Sequence, residues 1–472
     1  MRDTHIISPT PGKLADAVRD LKALLGERAT TAEAVREHHS HGESYHPPAF
    51  PDVVCFPGST EEVSEILKIS MKTQVPVIPF GAGSSLEGHI HALRGGITID
   101  MHEMNKVLRI SPEDLDATVE AGVTRQQLND VLRQTGLTFF IDPGAECTIG
   151  GMAATRASGT TAVRYGTMRE NVLGLKVVLA DGRIIQTGTR ARKSAAGYDL
   201  TRLFVGSEGT LGVFTEVTLR LHPRPEAVSA ASCAFETLRG AIETVIETIQ
   251  CGVSVARIEL VDEVMIDAVN RYSGTGLPVA PTLLFEFHGS SERHVEEQAS
   301  TVQSLAEAHG GNAFQWATRL EDREKLWEAR HKTHYASMAL RPGSKSWATD
   351  VCVPISRLAD CILETKKDNE GAPFPIPLVG HVGDGNFHLG YILDPDSESE
   401  MAYATKLSEK LVMRALSMGG TCTGEHGVGY GKMKYLQAEH GPALDVMRAV
   451  KRALDPDNRM NPGKIVDLEV DR

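Results

Sequence analysis

The segment Pro79-Phe80-Gly81-Ala82-Gly83-Ser84-Ser85-Leu86-Glu87-Gly88 decides the fold class, and an apolar run at residues 75–80 leads into it. Glycines at the end of a strand let the backbone turn sharply and bring N–H groups up to an anionic oxygen. The segment is not a Rossmann fingerprint, because Leu86 stands where the third glycine would be needed. No Gly-Lys-Ser/Thr follows, which excludes a Walker loop. Taken alone, the segment is equally compatible with a tight turn between strands.

Two further glycine-dense stretches favour a ligand over a simple turn. The first comprises Asp142-Pro143-Gly144-Ala145, Thr148-Ile149-Gly150-Gly151, Ser158-Gly159 and Arg164-Tyr165-Gly166. The second is Gly206-Ser207-Glu208-Gly209-Thr210-Leu211-Gly212. Loops of this kind at three places in the chain indicate one extended ligand that contacts the backbone throughout. A dinucleotide has that shape.

The sequence pattern changes near Pro225. Before it, short β-rich runs lie between glycines, and residues 173–188 predict a hairpin around Asp181-Gly182. After it, helical segments alternate with apolar strands, which is typical of a ferredoxin-like α+β module. We expect an α+β protein with three parts. They are residues 1–225 with a core at about 48–225, residues 226–454, and a tail at residues 455–472.

Composition limits the function classes. The chain has 472 residues, with 49 Lys and Arg against 62 Asp and Glu, a net charge of −13. This acidic balance argues against nucleic acid as a partner, since nucleic-acid binding needs a basic surface. The seven cysteines form no C-x-x-C pair, so a disulfide framework, a zinc ribbon and an iron–sulfur site lack support. No apolar leader or membrane-spanning run is evident. We therefore expect a cytoplasmic protein, at most peripheral to a membrane.

Two histidine motifs stand out in the second half. His381 and His388 flank a Gly-Asp-Gly turn, and Glu425-His426 lies between glycines. Two histidines and a carboxylate suit Zn²⁺, Mn²⁺ or Fe²⁺ and leave coordination positions open for a chelating substrate. His381, His388 and Glu425 are therefore the predicted metal ligands. His426 is the predicted catalytic base, because imidazole transfers protons near neutral pH.

The glycine-rich half resembles the FAD-linked oxidases of the vanillyl-alcohol-oxidase and p-cresol-methylhydroxylase (PCMH) type. The resemblance rests on PFGAGSSLEG, DPGAECTIGGMAATRASG, RYGTM, LGLKVVLADG, GSEGTLG and the terminal NPGK. It implies a PCMH-type FAD-binding domain of two α+β subdomains, a ferredoxin-like substrate (cap) domain and a C-terminal helical return to the flavin domain. Ser84 stands where relatives with covalent flavin often carry histidine, so it implies non-covalent FAD. The implied cofactor-binding residues are Pro79, Gly81, Ala82, Gly83, Ser84, Ser85, Gly88, Pro143, Gly144, Thr148, Gly151, Ser158, Gly159, Gly166, Val213 and Asn461.

The histidine-rich half resembles the FAD-linked D-2-hydroxy-acid dehydrogenases, whose signatures G-H-x-G-D-G-N-x-H and G-E-H-G-x-G are intact. The resemblance assigns the metal to His381, His388 and Glu425, and catalysis to His426. It also implies that Arg330 binds a substrate carboxylate, a geometry that guanidinium suits. His334, Lys345 and Asn386 are further candidates on the substrate side.

Together these resemblances imply oxidation of a D-2-hydroxy acid to the 2-oxo acid, with hydride transfer to flavin N5. The lactate branch is favoured by TDVCVPISRL and GGMAATRASGT. Electrons would pass to an external acceptor, namely a cytochrome, a quinone or an electron-transfer flavoprotein. D-2-hydroxyglutarate dehydrogenase and the glycolate oxidase flavoprotein subunit are open alternatives. A non-redox flavin transferase of the ether-lipid synthase type is a more remote one, and a homodimer is also left open.

Overall fold

A computed structural model describes residues 9–468. Contacts divide these residues into two compact units. The first unit consists of residues 9–158, 167–224 and 425–468, and the second of residues 159–166 and 225–424. Residues 1–8 and 469–472 lie outside the described residues. The expectation that the N-terminal segment has no apolar leader falls partly on residues 1–8.

The first unit contains two main sheets. One has the strand order Ala29–Thr30, Val53–Cys55, Ile97–Asp100, Val77–Phe80, and its last three strands are parallel. The other is antiparallel, with the order Val107–Ser111, Asp116–Glu120, Val213–Arg220, Val172–Val178, Ile184–Gln186. Leu137–Thr138 pairs separately with His222–Pro223. The parallel strands are mostly apolar, and all their residues but Pro79 are buried, as expected for strands covered on both faces.

Local sequence explains the elements beside the first glycine loop. Ser59 caps the helix Thr60–Thr73 by accepting a hydrogen bond from the Glu62 amide. This helix connects Val53–Cys55 to Val77–Phe80, which is the crossover that parallel strands require. The predicted hairpin is confirmed, because Val178 pairs with Ile184 across the Asp181-Gly182 turn.

The sequence predicts a first helix from Leu14 to Leu25. The structure has this helix from Pro11 to Leu25, since proline is well suited to the first turn of a helix. The helices of the first unit are Pro11–Leu25, Glu33–His38, Thr60–Thr73, Arg125–Leu132, Ile149–Thr155, Met168–Asn171, Leu200–Phe204, Leu436–His440 and Ala443–Leu454.

The second unit is built on an antiparallel sheet whose first four strands have the ferredoxin-like order. That order is Gly311–Ala317, Ala227–Phe235, Thr282–Gly289, Val255–Val261. The sheet continues beyond Val255–Val261 with Leu378–Gly380, Asn386–Leu393 and Lys345–Ala348, and Val351–Cys352 also pairs with Asn386–Leu393. Its helices are Ala162–Tyr165, Leu238–Gln250, Glu263–Ser273, Glu292–Ala308, Leu320–His331, Thr333–Ala339, Leu358–Asp368 and Glu398–Ser417. Of the two predicted histidines, His388 lies on Asn386–Leu393, and His381 directly follows Leu378–Gly380.

The division of the chain differs from the predicted ranges in two places. Residues 425–454 group with the first unit, because Lys451 donates to the carbonyl oxygens of Thr210 and Met460, each at 2.8 Å. Residues 159–166 group with the second unit, because Arg164 donates to the carbonyl oxygens of Ser254 and His288.

Candidate active site

The first glycine loop, residues 79–88, lies against the second, residues 142–148. A side-chain carbon at Gly81 would collide with the hydroxyl of Thr148, so only glycine permits this approach. The hydroxyl of Ser84 is 3.2 Å from the sulfur of Cys147. The structure therefore brings together two segments that the sequence predicted to share one ligand.

The polar groups of these loops fit a bound FAD. The hydroxyl oxygen of Ser85 is buried and has no hydrogen-bond partner among residues 9–468. Buried hydroxyls in folded proteins nearly always have a partner, so this one favours a ligand. Thr148 caps the helix Ile149–Thr155 by accepting from the Gly151 amide at 3.2 Å, which sets the end of the second loop.

The other residues predicted to bind the cofactor lie at four places in the chain. Pro79, Ala82, Gly83 and Gly88 lie at the end of the strand or in the first loop, and Pro143 and Gly144 lie in the second. Gly159 and Gly166 belong to the segment that groups with the second unit. Val213 begins a strand, pairs with Val178 and is buried in the hydrophobic core, so its side chain serves packing.

Asn461 connects the first and third glycine-rich segments. Its side-chain nitrogen Nδ2 donates to the backbone carbonyl oxygens of His89, at 3.0 Å, and Glu208, at 2.7 Å. Lys464 is also buried and donates to the carbonyl oxygen of His91 at 2.6 Å. Burial lowers the pKa of Lys464 to about 7. The terminal motif thus holds the backbone of the segments predicted to surround the flavin.

Glu208 anchors the loop that carries Glu425 and His426. Its two carboxylate oxygens accept hydrogen bonds from the amides of Val428, at 2.7 Å, and Gly429, at 2.8 Å. Burial alone would raise the pKa of Glu208, but nearby His89 and the two amides lower it below its ordinary value. Sequence reasoning missed this role, although a glutamate flanked by Ser207 and Gly209 in a glycine-rich turn was a visible signal.

The predicted metal ligand Glu425 has a partner from the flavin motif. The hydroxyl of Ser158 donates to Oε2 of Glu425 at 2.6 Å. Both residues belong to the first unit, as does His426. The hydrogen bond orients the carboxylate.

His381 and His388 lie together in the second unit. Their ring centroids are 5.3 Å apart, and a nitrogen of one ring lies within 4.8 Å of a nitrogen of the other. Nδ1 of His381 is 2.6 Å from a carboxylate oxygen of Glu259, and Nδ1 of His388 is 3.0 Å from the carbonyl oxygen of Thr349. With a proton on each Nδ1, the lone pair of each ring is at Nε2.

This arrangement fits a metal ion. Histidines that bind metals usually donate the other ring N–H to a carboxylate or to a backbone carbonyl, which sets the tautomer and the ring orientation. His381 has the first kind of partner and His388 has the second. The donor chemistry suits divalent zinc, manganese or iron.

Arg330 shares a partner with His381. Its Nε donates to Oε2 of Glu259 at 2.8 Å, while Oε1 of the same carboxylate faces His381. Burial opposes ionisation of Glu259, yet His381 and Arg330 lower its pKa below the ordinary value. Glu259 was not predicted, although a charged residue in the buried strand Val255–Val261 signals an unseen partner.

Asp350 is a second acidic residue that sequence reasoning missed. It accepts hydrogen bonds from the Asn386 amide at 2.8 Å and from the Thr423 hydroxyl at 2.7 Å. Its Oδ1 is 3.7 Å from Nδ1 of His388. Asp350 therefore orients Asn386, one of the predicted substrate residues, beside the histidine pair.

Two predicted substrate residues are placed less favourably. His334 is exposed on the helix Thr333–Ala339. Lys345 is exposed and pairs with Leu393, five residues beyond His388 on the same strand. At about 3.3 Å per residue this separates Lys345 from the histidine by roughly 16 Å along the sheet.

The fold and these loops define a flavoprotein of PCMH type. Its FAD binding domain is matched by a family model over residues 51–188, and the C-terminal domain of FAD linked oxidases is matched over residues 224–465. The chain belongs to the FAD-linked oxidases, and within them to the D-2-hydroxy-acid dehydrogenases. It is an FAD-dependent oxidoreductase, as the sequence predicted.

Individual proteins agree with this family. A probable mitochondrial D-lactate dehydrogenase from Danio rerio is 52% identical and covers 94% of this chain and 90% of its own length. A mitochondrial D-lactate dehydrogenase [cytochrome] from Arabidopsis thaliana is 47% identical and covers 96% and 81%. The solved structure of p-cresol methylhydroxylase with substrate bound has a TM-score of 0.82 at 18% identity, covering 99% of this chain and all of that one. It confirms the predicted fold.

The expectation of a cytoplasmic protein is wrong. Both sequence relatives are mitochondrial proteins by name. Net charge and the lack of an apolar run report on solubility and on insertion into a bilayer, and they do not identify a compartment. Within residues 9–468, no helix is long and apolar enough to cross a membrane.

Proposed function

We propose that this chain oxidises a D-2-hydroxy acid, with D-lactate as the favoured substrate, to the corresponding 2-oxo acid. The observation that carries the proposal is the histidine pair: a protonated Nδ1 on His381 and on His388 makes Nε2 the ring atom with the lone pair, and a nitrogen of one ring lies within 4.8 Å of a nitrogen of the other. The names of the relatives from Danio rerio and Arabidopsis thaliana support the choice of D-lactate.

We assign the metal to His381, His388 and Glu425. When bound, a divalent ion would act as a Lewis acid toward the hydroxyl oxygen of the substrate and lower its pKa. The contribution of the chain is to hold the ligands in one orientation. Glu259 does this for His381, the Thr349 carbonyl for His388, and Ser158 for Glu425.

Arg330 is assigned to the substrate carboxylate. Its Nε donates to Glu259, and its Nη1 lies 3.4 Å from the hydroxyl of Thr333, so the guanidinium is oriented from two sides. A planar guanidinium can bind a carboxylate through two parallel hydrogen bonds. Asn386, oriented by Asp350, is a second polar contact in this proposal. His334 and Lys345 remain weaker candidates.

His426 is assigned as the base that accepts the proton of the substrate hydroxyl. Imidazole suits this transfer because its pKa lies near neutral pH. The amides of Val428 and Gly429, bound to Glu208, hold the loop on which His426 lies. When bound, FAD would accept the α-hydrogen of the substrate as hydride. The electrons would then pass to an external acceptor, for which a cytochrome is the first choice.

The test is an anaerobic titration of the FAD-loaded protein with D-lactate, following the visible absorbance of the oxidised flavin. L-Lactate, glycolate, D-2-hydroxyglutarate and a chelator-treated sample are run in parallel. We expect bleaching by D-lactate, loss of bleaching after chelation, and recovery with a divalent metal. If glycolate or D-2-hydroxyglutarate bleaches the flavin faster, the choice of substrate is wrong. If no 2-hydroxy acid bleaches it, the dehydrogenase proposal fails and the flavin transferase is favoured.

A further inference from the structure

One buried carboxylate in the second unit serves two residues with different assigned tasks. Oε1 of Glu259 is 2.6 Å from Nδ1 of His381, and Oε2 is 2.8 Å from Nε of Arg330. Glu259 is fully buried, and it lies on the central strand Val255–Val261. It is remote in sequence from both partners.

We infer that Glu259 is a positioning residue that couples metal binding to recognition of the substrate carboxylate. This inference rests on the proposed function, which assigns the metal to His381 and the carboxylate to Arg330. Glu259 itself needs to touch neither the metal nor the substrate. One of its oxygens sets the tautomer and ring orientation of His381, and the other sets the orientation of the Arg330 guanidinium.

The charge of Glu259 matters for both contacts. Each carboxylate oxygen accepts a hydrogen bond from a group that bears or gains positive charge, and such bonds are stronger than neutral ones. A glutamine in the same place offers one acceptor oxygen and one donor nitrogen. It can serve His381 or Arg330, and its NH₂ group then faces the N–H of the other partner. Glu259→Gln should therefore weaken both functions while keeping the shape of the side chain.

The same sheet supplies a matched control. Glu286, on the neighbouring strand Thr282–Gly289, also pairs with a histidine and an arginine. It is 2.8 Å from His288 and 3.6 Å from Arg257. Neither partner belongs to the proposed site. Glu286→Gln removes the same kind of charge from the same sheet, so it reports the purely structural cost of such a change.

The experiment measures Zn²⁺ binding to the metal-stripped, FAD-loaded protein by calorimetry, and the KM and kcat for D-lactate after metal is restored. For Glu259→Gln we expect the dissociation constant of Zn²⁺ to rise about 10- to 100-fold, the usual effect of losing a residue that supports a metal-binding histidine. KM should rise as well. Glu259→Asp, which keeps the charge on a shorter side chain, should lie between wild type and Glu259→Gln. Glu286→Gln should leave both quantities at the wild-type level.

The outcomes separate the inference from the proposed function. Wild-type protein that binds no Zn²⁺ and is not reduced by D-lactate would overturn both. Wild-type protein that binds Zn²⁺ and oxidises D-lactate, beside a Glu259→Gln variant with unchanged Zn²⁺ affinity and KM, would overturn the inference alone. A loss equal to that of Glu286→Gln would also overturn it, since the role would then be structural. If Glu259→Gln does not fold, Glu259→Asp decides by the same criteria.

Discussion

The hydroxyl of Ser158 donates a hydrogen bond of 2.6 Å to the carboxylate of Glu425. Ser158 follows the second glycine loop, and Glu425 begins the Glu-His dipeptide far along the chain. A residue predicted from a flavin motif therefore orients a residue predicted as a metal ligand. The two motifs were identified separately, and this contact joins them in one unit of the fold.

Replacing Ser158 tests this contact. In Ser158→Ala the carboxylate of Glu425 loses a hydrogen bond to a charged group, worth about 1.5–3 kcal/mol. We expect kcat/KM for D-lactate to fall roughly 10- to 100-fold, since about 1.4 kcal/mol corresponds to a factor of ten. Steady-state kinetics and the Zn²⁺ dissociation constant measure the effect. As a control, Ser111→Ala removes the surface hydrogen bond from Ser111 to Asp114 and should change neither.

Asn461→Ala tests the flavin-binding half. The variant loses the donors to the carbonyl oxygens of His89 and Glu208, each worth about 1 kcal/mol. We expect FAD affinity to fall roughly 10-fold, as measured by titrating the apoprotein with FAD. The control is Asn270→Ala, which removes a similar loop contact to the carbonyl of Leu277 in the second unit. If both variants retain FAD equally well, Asn461 does not organise the flavin site.

Short-range sequence patterns predicted the parts of the fold in which the contacting residues are close in sequence. The hairpin around Asp181-Gly182 follows from two apolar runs and a turn dipeptide. The four ferredoxin-like strands follow from the alternation of helical and strand periodicity. The histidine pair was recognisable because the Gly-Asp-Gly turn frees His381 and His388 from the alternation of a continuous strand.

The residues that support the site could not be predicted in the same way. Glu259 and its partner His381 are 122 residues apart, and Glu208 and the amide of Val428 are 220 apart. Nothing in a local window shows such pairing. A charged residue in a buried strand indicates that a partner exists, but only the sheet order, which places Leu378–Gly380 beside Val255–Val261, identifies it. The grouping of residues 425–454 with the first unit was missed for the same reason.

Glu286→Gln should change the dependence of stability on pH. Burial opposes ionisation of Glu286, but His288 and Arg257 lower its pKa below the ordinary value of 4.5. A carboxylate with a lowered pKa in the folded state stabilises the fold above the unfolded pKa, and this stabilisation is lost as pH falls through the folded value. The variant should thus be less stable than wild type by about 2 kcal/mol at neutral pH. The difference should shrink below about pH 4.5, as urea unfolding at several pH values would show. A constant difference would contradict the prediction.

Gly427→Ala tests whether the loop that bears His426 must keep its present path. Gly427 has a φ of +81°, and an added Cβ would lie 2.6 Å from Nε2 of His89 and 2.7 Å from Oε1 of Glu208. The left-handed conformation costs an alanine roughly 1–2 kcal/mol, and the clash would displace the loop from Glu208. We expect kcat to fall at least 10-fold with FAD still bound. Gly136→Ala is the control, because Gly136 has a φ of +73° and nothing within 4 Å of an added Cβ. It should lose similar backbone stability in urea unfolding and keep full activity. Equal activity in the two variants would show that the contact between Glu208 and this loop does not position His426.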